Sequence, residues 1–216
     1  HKTAPFRPVL APLLMPEHWP LQGLQGIALN VRLCLLRGGS KLHPDPVDIR
    51  PLLITHRGLS GPAALAASCW WQQGDAIAID FLPEQNMLQL LDAQGNGRLL
   101  VKNLLARHLP ARIAERLCPA PLAGRKCAEL GKKDRMALAH AVHHFEAQAL
   151  GVAGFNAAEA AAGGVMRCDL LPWLESAVVP GLFFCGEIVD AAGIIGGYNI
   201  HWALASGHMA GQHLRP

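Results

Sequence analysis

The sequence contains no CxxC pair, no apolar run long enough to cross a bilayer, no internal repeat and no basic-then-apolar leader segment. Each absence narrows the possibilities. Without paired cysteines there is no signature of a structural zinc site or of a thioredoxin-like redox motif. The six cysteines (Cys34, Cys69, Cys118, Cys127, Cys168 and Cys185) occur singly in mostly apolar surroundings. Their even number is compatible with disulfides, but a chain with so much apolar residue to bury reads as holding buried free thiols in a reducing compartment. The absent spanning run and leader set the expectation of a cytoplasmic protein with no membrane partner. The chain opens on His1 rather than Met, which reads as a cut, a tag remnant or a processed end.

Charge of either sign is also scarce. Charged residues make up 16% of the 216 residues and hydrophobic residues 51%, which defines an ordered globular chain with a sizeable core. The net charge is +3 and the basic residues are scattered. The one short basic stretch, Lys132–Lys133–Asp134–Arg135, is broken by an acid and reads as a solvated loop or helix start. No phosphate-tracking stripe stands out, so nucleic acid is not expected as a partner.

Alternation of Ile27, Leu29, Val31, Leu33 and Leu35 predicts a strand over Leu24–Leu36, ended by a Gly38–Gly39 turn. A second apolar run, Leu52–Thr55, stops at His56–Arg57–Gly58. A helix is expected from Ser60–Gly61–Pro62 through Trp71, with Ser60 as cap and Pro62 in the first turn. Gly74–Asp75 then turns the chain into a strand over Ala76–Leu82. From Pro83 to about Leu150 the spacing is helical, including one helix over Lys133–Leu150. In the last third, Leu182–Cys185 predicts a short, fully buried parallel strand. Asp190–Tyr198 is a glycine-rich loop, and a small-residue helix is expected from about Asn199 to His213.

The chemistry-bearing signal lies there. A buried strand ending in Gly186–Glu187 places a carboxylate at the edge of a sheet, where α/β folds bind ligands. The carboxylate can accept hydrogen bonds from ribityl or ribose hydroxyls. The glycine loop admits a ligand to the main chain and feeds a helix whose N–H groups face negative charge. Two readings stay open on the residues alone: a flavin or nucleotide site, or a glycine-rich structural turn before a core helix.

Three segments resemble one family. Pro180-Gly181-Leu182-Phe183-Phe184-Cys185-Gly186-Glu187 through Gly193, Gly196, Gly197, Tyr198 and Asn199 is similar to the C-terminal flavin-binding signature of the BaiN-type (YhiN-like) NAD(P)/FAD-dependent oxidoreductases. Asp190, Trp202, Ala203, Ser206, Gly207, Ala210 and Gly211 fall in register with it. Upstream, Leu53-Ile54-Thr55-His56-Arg57-Gly58-Leu59-Ser60-Gly61-Pro62 resembles the family's THRGLSGP string, and Ala162-Gly163-Gly164-Val165 its GGV string. The family's GxGxxG turn, which would cradle the FAD pyrophosphate, is absent, and Ala192 stands where the family often has an acid.

The resemblance implies an α+β or α/β chain. Residues 1–82 would be a strand-rich insert domain, 83–150 a small helical insert, and 151–216 the C-terminal part of a Rossmann-like FAD-binding domain. It implies FAD contacts at Gly163, Gly164, Gly186, Glu187, Asp190, Gly193, Gly196, Gly197, Tyr198 and Asn199. A substrate-side loop would carry Thr55, His56, Gly58, Ser60 and Gly61, with His56 as a proton donor to an activated double bond. NAD(P)H is the implied electron donor, a small molecule the substrate, and an N-terminal FAD-binding region the missing partner. The alternative is a non-catalytic fragment or binding module unable to hold FAD alone. His140, His143 and His144 read as a solvated helix face rather than a metal site. His201 and His208 read as partly buried core residues, and Trp70 and Trp71 as packing.

Overall fold

A computed structural model describes residues 1–42 and 49–214. The strands and helices are β1 (Thr3–Val9), β2 (Leu13–Leu14), β3 (Ala28–Arg37), β4 (Ser40–Leu42), β5 (Ile49–Ile54), β6 (Gly58–Ser60), α1 (Gly61–Ser68) and β7 (Ala76–Asp80). They continue with α2 (Met87–Asp92), α3 (Val101–His108), α4 (Ala111–Leu117), α5 (Lys132–His143), β8 (Phe145–Gln148), β9 (Gly151–Val152), β10 (Ala160–Val165) and α6 (Tyr198–His213). The fold is mixed α+β.

Its main sheet is antiparallel, in the order β8-β7-β3-β5-β6-β2-β9, with β4 also pairing β3. β8 and β9 are neighbours in the chain, yet they lie at opposite ends of that order. Only a sheet that curls round can satisfy both facts, and the result is a half-barrel. The Leu150 N–H, in the connection between them, donates to the Leu14 carbonyl at 2.8 Å and holds the closure. Val31, Leu33, Leu35, Leu52, Ile54, Ile77 and Ile79 fill the concave side as alternation requires. Ile27 and Leu29 pack against it half-buried. The Gly38–Gly39 turn has φ of 54° and 80°, the left-handed pair that joins strands through two residues.

The helices α2–α5 are inserted between β7 and β8, and Leu104, Leu105, Ile113, Leu117, Leu138 and Val142 join the barrel's core cluster. The helix expected over Lys133–Leu150 ends at His143 instead. Phe145–Gln148 leaves it to pair with β7, and Phe145 meets Phe81 edge-on at 5.5 Å. An open sheet edge outweighs the helix propensity of Glu146, Ala147 and Gln148. The helix α1 ends at Ser68 rather than Trp71, and Ser60 makes no capping hydrogen bond.

A second, two-stranded sheet pairs β1 with β10. Val165 also makes a parallel bridge to Val189, which brings the 3-10 turn Gly186–Ile188 and helix α6 alongside. The buried strand expected at Leu182–Cys185 does not form. Phe183 makes one antiparallel bridge to Glu175, and Leu182 and Cys185 are exposed. The segment folds back on its own connector, the Ser176 N–H donating to the Leu182 carbonyl and the Phe184 N–H to the Leu174 carbonyl. A buried parallel strand needs neighbours on both edges.

Four of the six cysteines are buried and all six are free; Cys168 and Cys185 are exposed. Among the described residues no helix is long and apolar enough to cross a membrane.

Candidate functional site

The acids and glycines singled out in the last third converge on the end of β10. The Gly163 N–H donates to Asp190 Oδ1 at 3.1 Å, and the Ala161 N–H to Glu187 Oε1 at 3.2 Å. The Asp190 N–H returns a bond to the Val165 carbonyl at 2.9 Å. Both carboxylates keep unused lone pairs, and Glu187 is exposed.

Gly163 and Gly164 are buried where backbones nearly touch. At φ of 103° and 106°, a Cβ would lie 2.3 Å from the Pro5 carbonyl oxygen and 2.1 Å from that of Ile188, respectively. Close approach of backbone, β1 for Gly163 and the 3-10 turn for Gly164, therefore accounts for both glycines.

Helix α6 fixes the other side. Ser206, 1% exposed, accepts the Gly186 N–H at 2.9 Å, and Trp202 Nε1 donates to the Gly186 carbonyl at 3.1 Å. Trp202 and Ser206 stand one helical turn apart and hold both polar groups of one peptide-bearing residue. Sequence reasoning noted their register and missed this role, although the i, i+4 spacing of two polar-tipped side chains was the available signal.

Asn199 closes the loop as a two-pronged clip. Its Oδ1 accepts the Gly193 N–H at 2.8 Å and its Nδ2 donates to the Gly193 carbonyl at 3.0 Å. Gly197, at φ 82°, precedes α6, and a Cβ there would enter open space. Gly196 and Tyr198 are exposed beside it. The cradle thus offers an open left-handed glycine, an uncapped helix N-terminus and two carboxylates with free acceptor capacity. That donor and acceptor set can accept hydroxyl hydrogen bonds and face negative charge on a ligand.

The upstream loop is a separate feature. Thr55 N–H and Oγ1 both donate to the Gly58 carbonyl, at 2.8 and 3.1 Å, so Thr55 closes the turn. Gly58 is fixed by packing, since a Cβ would sit 2.2 Å from the Leu13 carbonyl oxygen. Gly61 opens α1 at φ 79° and Ser60 is half-buried. His56 is exposed and lines a pocket with Met15, Glu17, Trp19 and Arg57, none of which belongs to the cradle. The link between the two regions is α1 with its C-cap: Leu65 and Cys69 share a small core with Ala160 and Ala162, against which Ile195 of the glycine loop packs. Burial pushes the Cys69 thiol upward, so it is an inert packing group there.

The histidines on α5 are not one solvated face. His143 Nδ1 lies 2.8 Å from Asp80 Oδ1 and its Nε2 accepts the Met87 N–H at 3.1 Å. His140 and His144 are exposed, with His144 held below its ordinary range by burial and by Lys41 and its neighbouring histidines. His201 and His208 are exposed rather than part of the core. Trp71 packs half-buried and donates to the Asp75 carbonyl at 3.1 Å, whereas Trp70 is 50% exposed. Among the described residues no three His, Cys, Asp or Glu side chains group as metal ligands.

A half-barrel interrupted by a helical unit, followed by a glycine-lined cradle on a separate small sheet, defines an α+β protein of oxidoreductase-like architecture. The chain belongs to the HI0933-like family: the model for the "HI0933-like protein barrel and H2TH domain" matches residues 7–160. It is 39% identical over 167 residues to the ribosomal RNA dihydrouridine synthase of Escherichia coli (strain K12), covering 76% of this chain and 42% of that protein. It is 34% identical over 192 residues to the Haemophilus influenzae ribosomal RNA dihydrouridine synthase, covering 87% of this chain and 46% of that protein. Over 227 residues it is 28% identical to the 3-dehydro-bile acid delta(4,6)-reductase of Clostridium scindens, covering 98% of this chain and 54% of that protein. The chain spans about half the length of these curated relatives.

Proposed function

We propose that this chain is the C-terminal part of a BaiN-type (YhiN-like) flavoprotein that reduces a ring carbon–carbon double bond conjugated to a carbonyl. The names of the relatives support the reaction class, because dihydrouridine and a reduced delta(4,6) ketone both arise by saturating such a bond. FAD, which the Glu187 and Asp190 carboxylates and the start of α6 would hold, would supply the two-electron chemistry with NAD(P)H as donor, and the chain's own residues would orient the substrate and supply the proton.

The observation that carries the reading is the cradle at the end of β10. Glu187 and Asp190 are anchored by one backbone N–H each, so their remaining lone pairs are oriented to accept hydroxyl hydrogen bonds. Trp202 and Ser206 fix Gly186, Asn199 clips the loop at Gly193, and the start of α6 presents its positive dipole end to negative charge. His56, exposed on the turn before α1, is the side chain assigned to return a proton to a small-molecule substrate bound beside Thr55–Gly61.

The remaining region of the parent, carrying the pyrophosphate turn, is the partner of residues 151–216. Ile200 and Leu204, 71% and 72% exposed on α6, are the apolar surface it covers. The half-barrel strands β2–β9 and the helices α2–α5 inserted between β7 and β8 are the strand-rich and helical inserts of that parent.

The test is FAD retention in the full-length parent. Loss of the Glu187 carboxylate in Glu187→Ala weakens retention by about 1.5–3 kcal/mol, roughly ten- to a hundredfold, while Glu187→Gln does less harm. Gly197→Val, which fills the open space, lowers FAD occupancy with the inserts still folded. Unchanged affinity in both Glu187→Ala and Gly197→Val removes the cradle from the cofactor site.

A further inference from the structure

Two guanidinium groups converge on the end of α1. Arg7, on β1, reaches across from the small sheet, and its Nη2 donates to the Cys69 carbonyl at 2.8 Å. Arg37 holds the next peptide, its Nη2 donating to the Trp70 carbonyl at 2.7 Å. The Trp70 and Trp71 N–H groups both return to the Ala67 carbonyl at 3.0 Å, and Trp71 Nε1 is tied to the Asp75 carbonyl. The backbone beneath the Trp70 ring is therefore fixed, while the ring itself stands half-exposed. A flat ligand that stacks on it orders little further chain.

The ring borders a cleft of about 650 Å³, with Pro8 of β1 and Val152 of β9 supplying apolar lining. That volume suits a ligand of nucleotide size. The polar groups of the cleft are unspent. Asp75 neutralises Arg37 at 2.6 Å, whereas Arg7 has no acidic partner among the described residues and keeps most of its donors free. The exposed Gln72 and Gln73 amides likewise have no hydrogen-bond partner among the described residues. An aromatic face, a free guanidinium fork and amides able to pair with an adenine edge together recognise a phosphorylated adenosine.

The cleft adjoins the cradle. Arg7 pairs across the small sheet with Ala162, the neighbour of Gly163, whose N–H anchors Asp190. Cys69 shares a small core with Ala162, and Ile195 of the glycine loop packs on that same core.

We propose that this cleft binds the ADP half of the nicotinamide dinucleotide donor. Adenine stacks on Trp70 beside the Gln72 and Gln73 amides, the pyrophosphate sits on Arg7, and the nicotinamide end extends toward the cradle. The donor's identity rests on the reductase reading; the nucleotide site rests on the cleft alone.

The experiment is isothermal titration calorimetry of this chain with ADP-ribose. Wild type binds it, NADH displaces it one for one, and adenosine binds roughly tenfold or more weakly for want of the phosphates. Arg7→Gln weakens ADP-ribose roughly ten- to a hundredfold and leaves adenosine unchanged. Trp70→Ala weakens both by roughly five- to a hundredfold, and Trp70→Phe restores most of the loss. Arg98→Gln, a cation on the helical unit, keeps wild-type affinity. Thermal melts verify folding, and Arg7→Lys, which keeps the charge, must bind between wild type and Arg7→Gln. Absence of ADP-ribose binding, equal binding of adenosine, or unaltered affinity in Arg7→Gln and Trp70→Ala overturns the site. In the full-length parent, Arg7→Gln raises the NAD(P)H concentration for half-maximal flavin bleaching by roughly the same factor, with flavin occupancy unchanged. Loss of flavin instead would assign the cleft to the ADP half of FAD and overturn the donor assignment. A parent that reduces its acceptor while the cleft ignores ADP-ribose overturns this site and spares the reductase reading. A parent without flavin whose cleft still binds ADP-ribose overturns the reductase reading, and the donor's role with it, but not the nucleotide site.

Discussion

Gly164→Ala is the sharpest perturbation of the join between the small sheet and the cradle. At φ 106° an alanine is strained by about 1–3 kcal/mol before any contact is counted. The new Cβ would meet the Ile188 carbonyl oxygen at 2.1 Å, over an ångström inside normal contact, and neither the Cβ, fixed by the backbone, nor the backbone oxygen can rotate away. The 3-10 turn must move off β10. That breaks the Asp190-to-Val165 hydrogen bond of 2.9 Å, about 1 kcal/mol, and begins to uncover Val189, now 1% exposed and worth up to about 1.5–3 kcal/mol. The total expected is about 3–5 kcal/mol, read as a fall in the urea midpoint by far-UV circular dichroism. Gly197→Ala meets no atom and costs only its strain, while Gly124→Ala, also in open space and without a left-handed φ, stays near zero. A Gly164→Ala loss no larger than that of Gly197→Ala would refute the close-approach reasoning.

Two further outcomes follow from individual contacts. Asp75, its side chain 4% exposed, accepts from Arg37 Nε and Nη2 and from the Gln72 N–H, and the Arg37 hydrogen bonds hold it below the usual carboxylate range. A depressed folded value means stability present above the unfolded value and lost as pH falls through the folded one. Urea midpoints should therefore drop steeply below the ordinary carboxylate range in wild type and less so in Asp75→Asn, and parallel curves would contradict this. His143→Ala strands the buried Met87 N–H and takes one partner from the Asp80 carboxylate, which keeps Arg32 and the Leu82 N–H, costing about 1–3 kcal/mol in the same urea assay. An unchanged midpoint would mean that water replaces the imidazole.

Local chemistry made much of this fold legible. Gly38–Gly39 announces its hairpin because two left-handed residues are what the turn requires, and α6 was found within one residue of its start. What escaped was decided by distant partners. Phe145–Gln148 has the composition of a helix end and becomes a strand only because β7 offers an edge. Leu182–Cys185 has the composition of a buried strand and has no pair of neighbours to make it one. Barrel closure rests on β9 meeting β2, residues Gly151 and Val152 against Leu13 and Leu14, a pairing across most of the chain that no periodicity encodes. At the site, the convergence of Glu187, Asp190 and Gly163 was only implied by family resemblance, whereas the clip at Asn199 and the brace from Trp202 and Ser206 became visible in three dimensions.

The account stands most directly on one anaerobic titration of the full-length parent. Purified protein should be yellow, lose its flavin absorbance on addition of NADH or NADPH, and regain it when an acceptor with a ring double bond conjugated to a carbonyl is supplied, with one equivalent of saturated product by mass spectrometry. A parent that purifies without flavin, or whose bleached flavin is not reoxidised by any such acceptor, contradicts the assignment of this chain to a double-bond reductase.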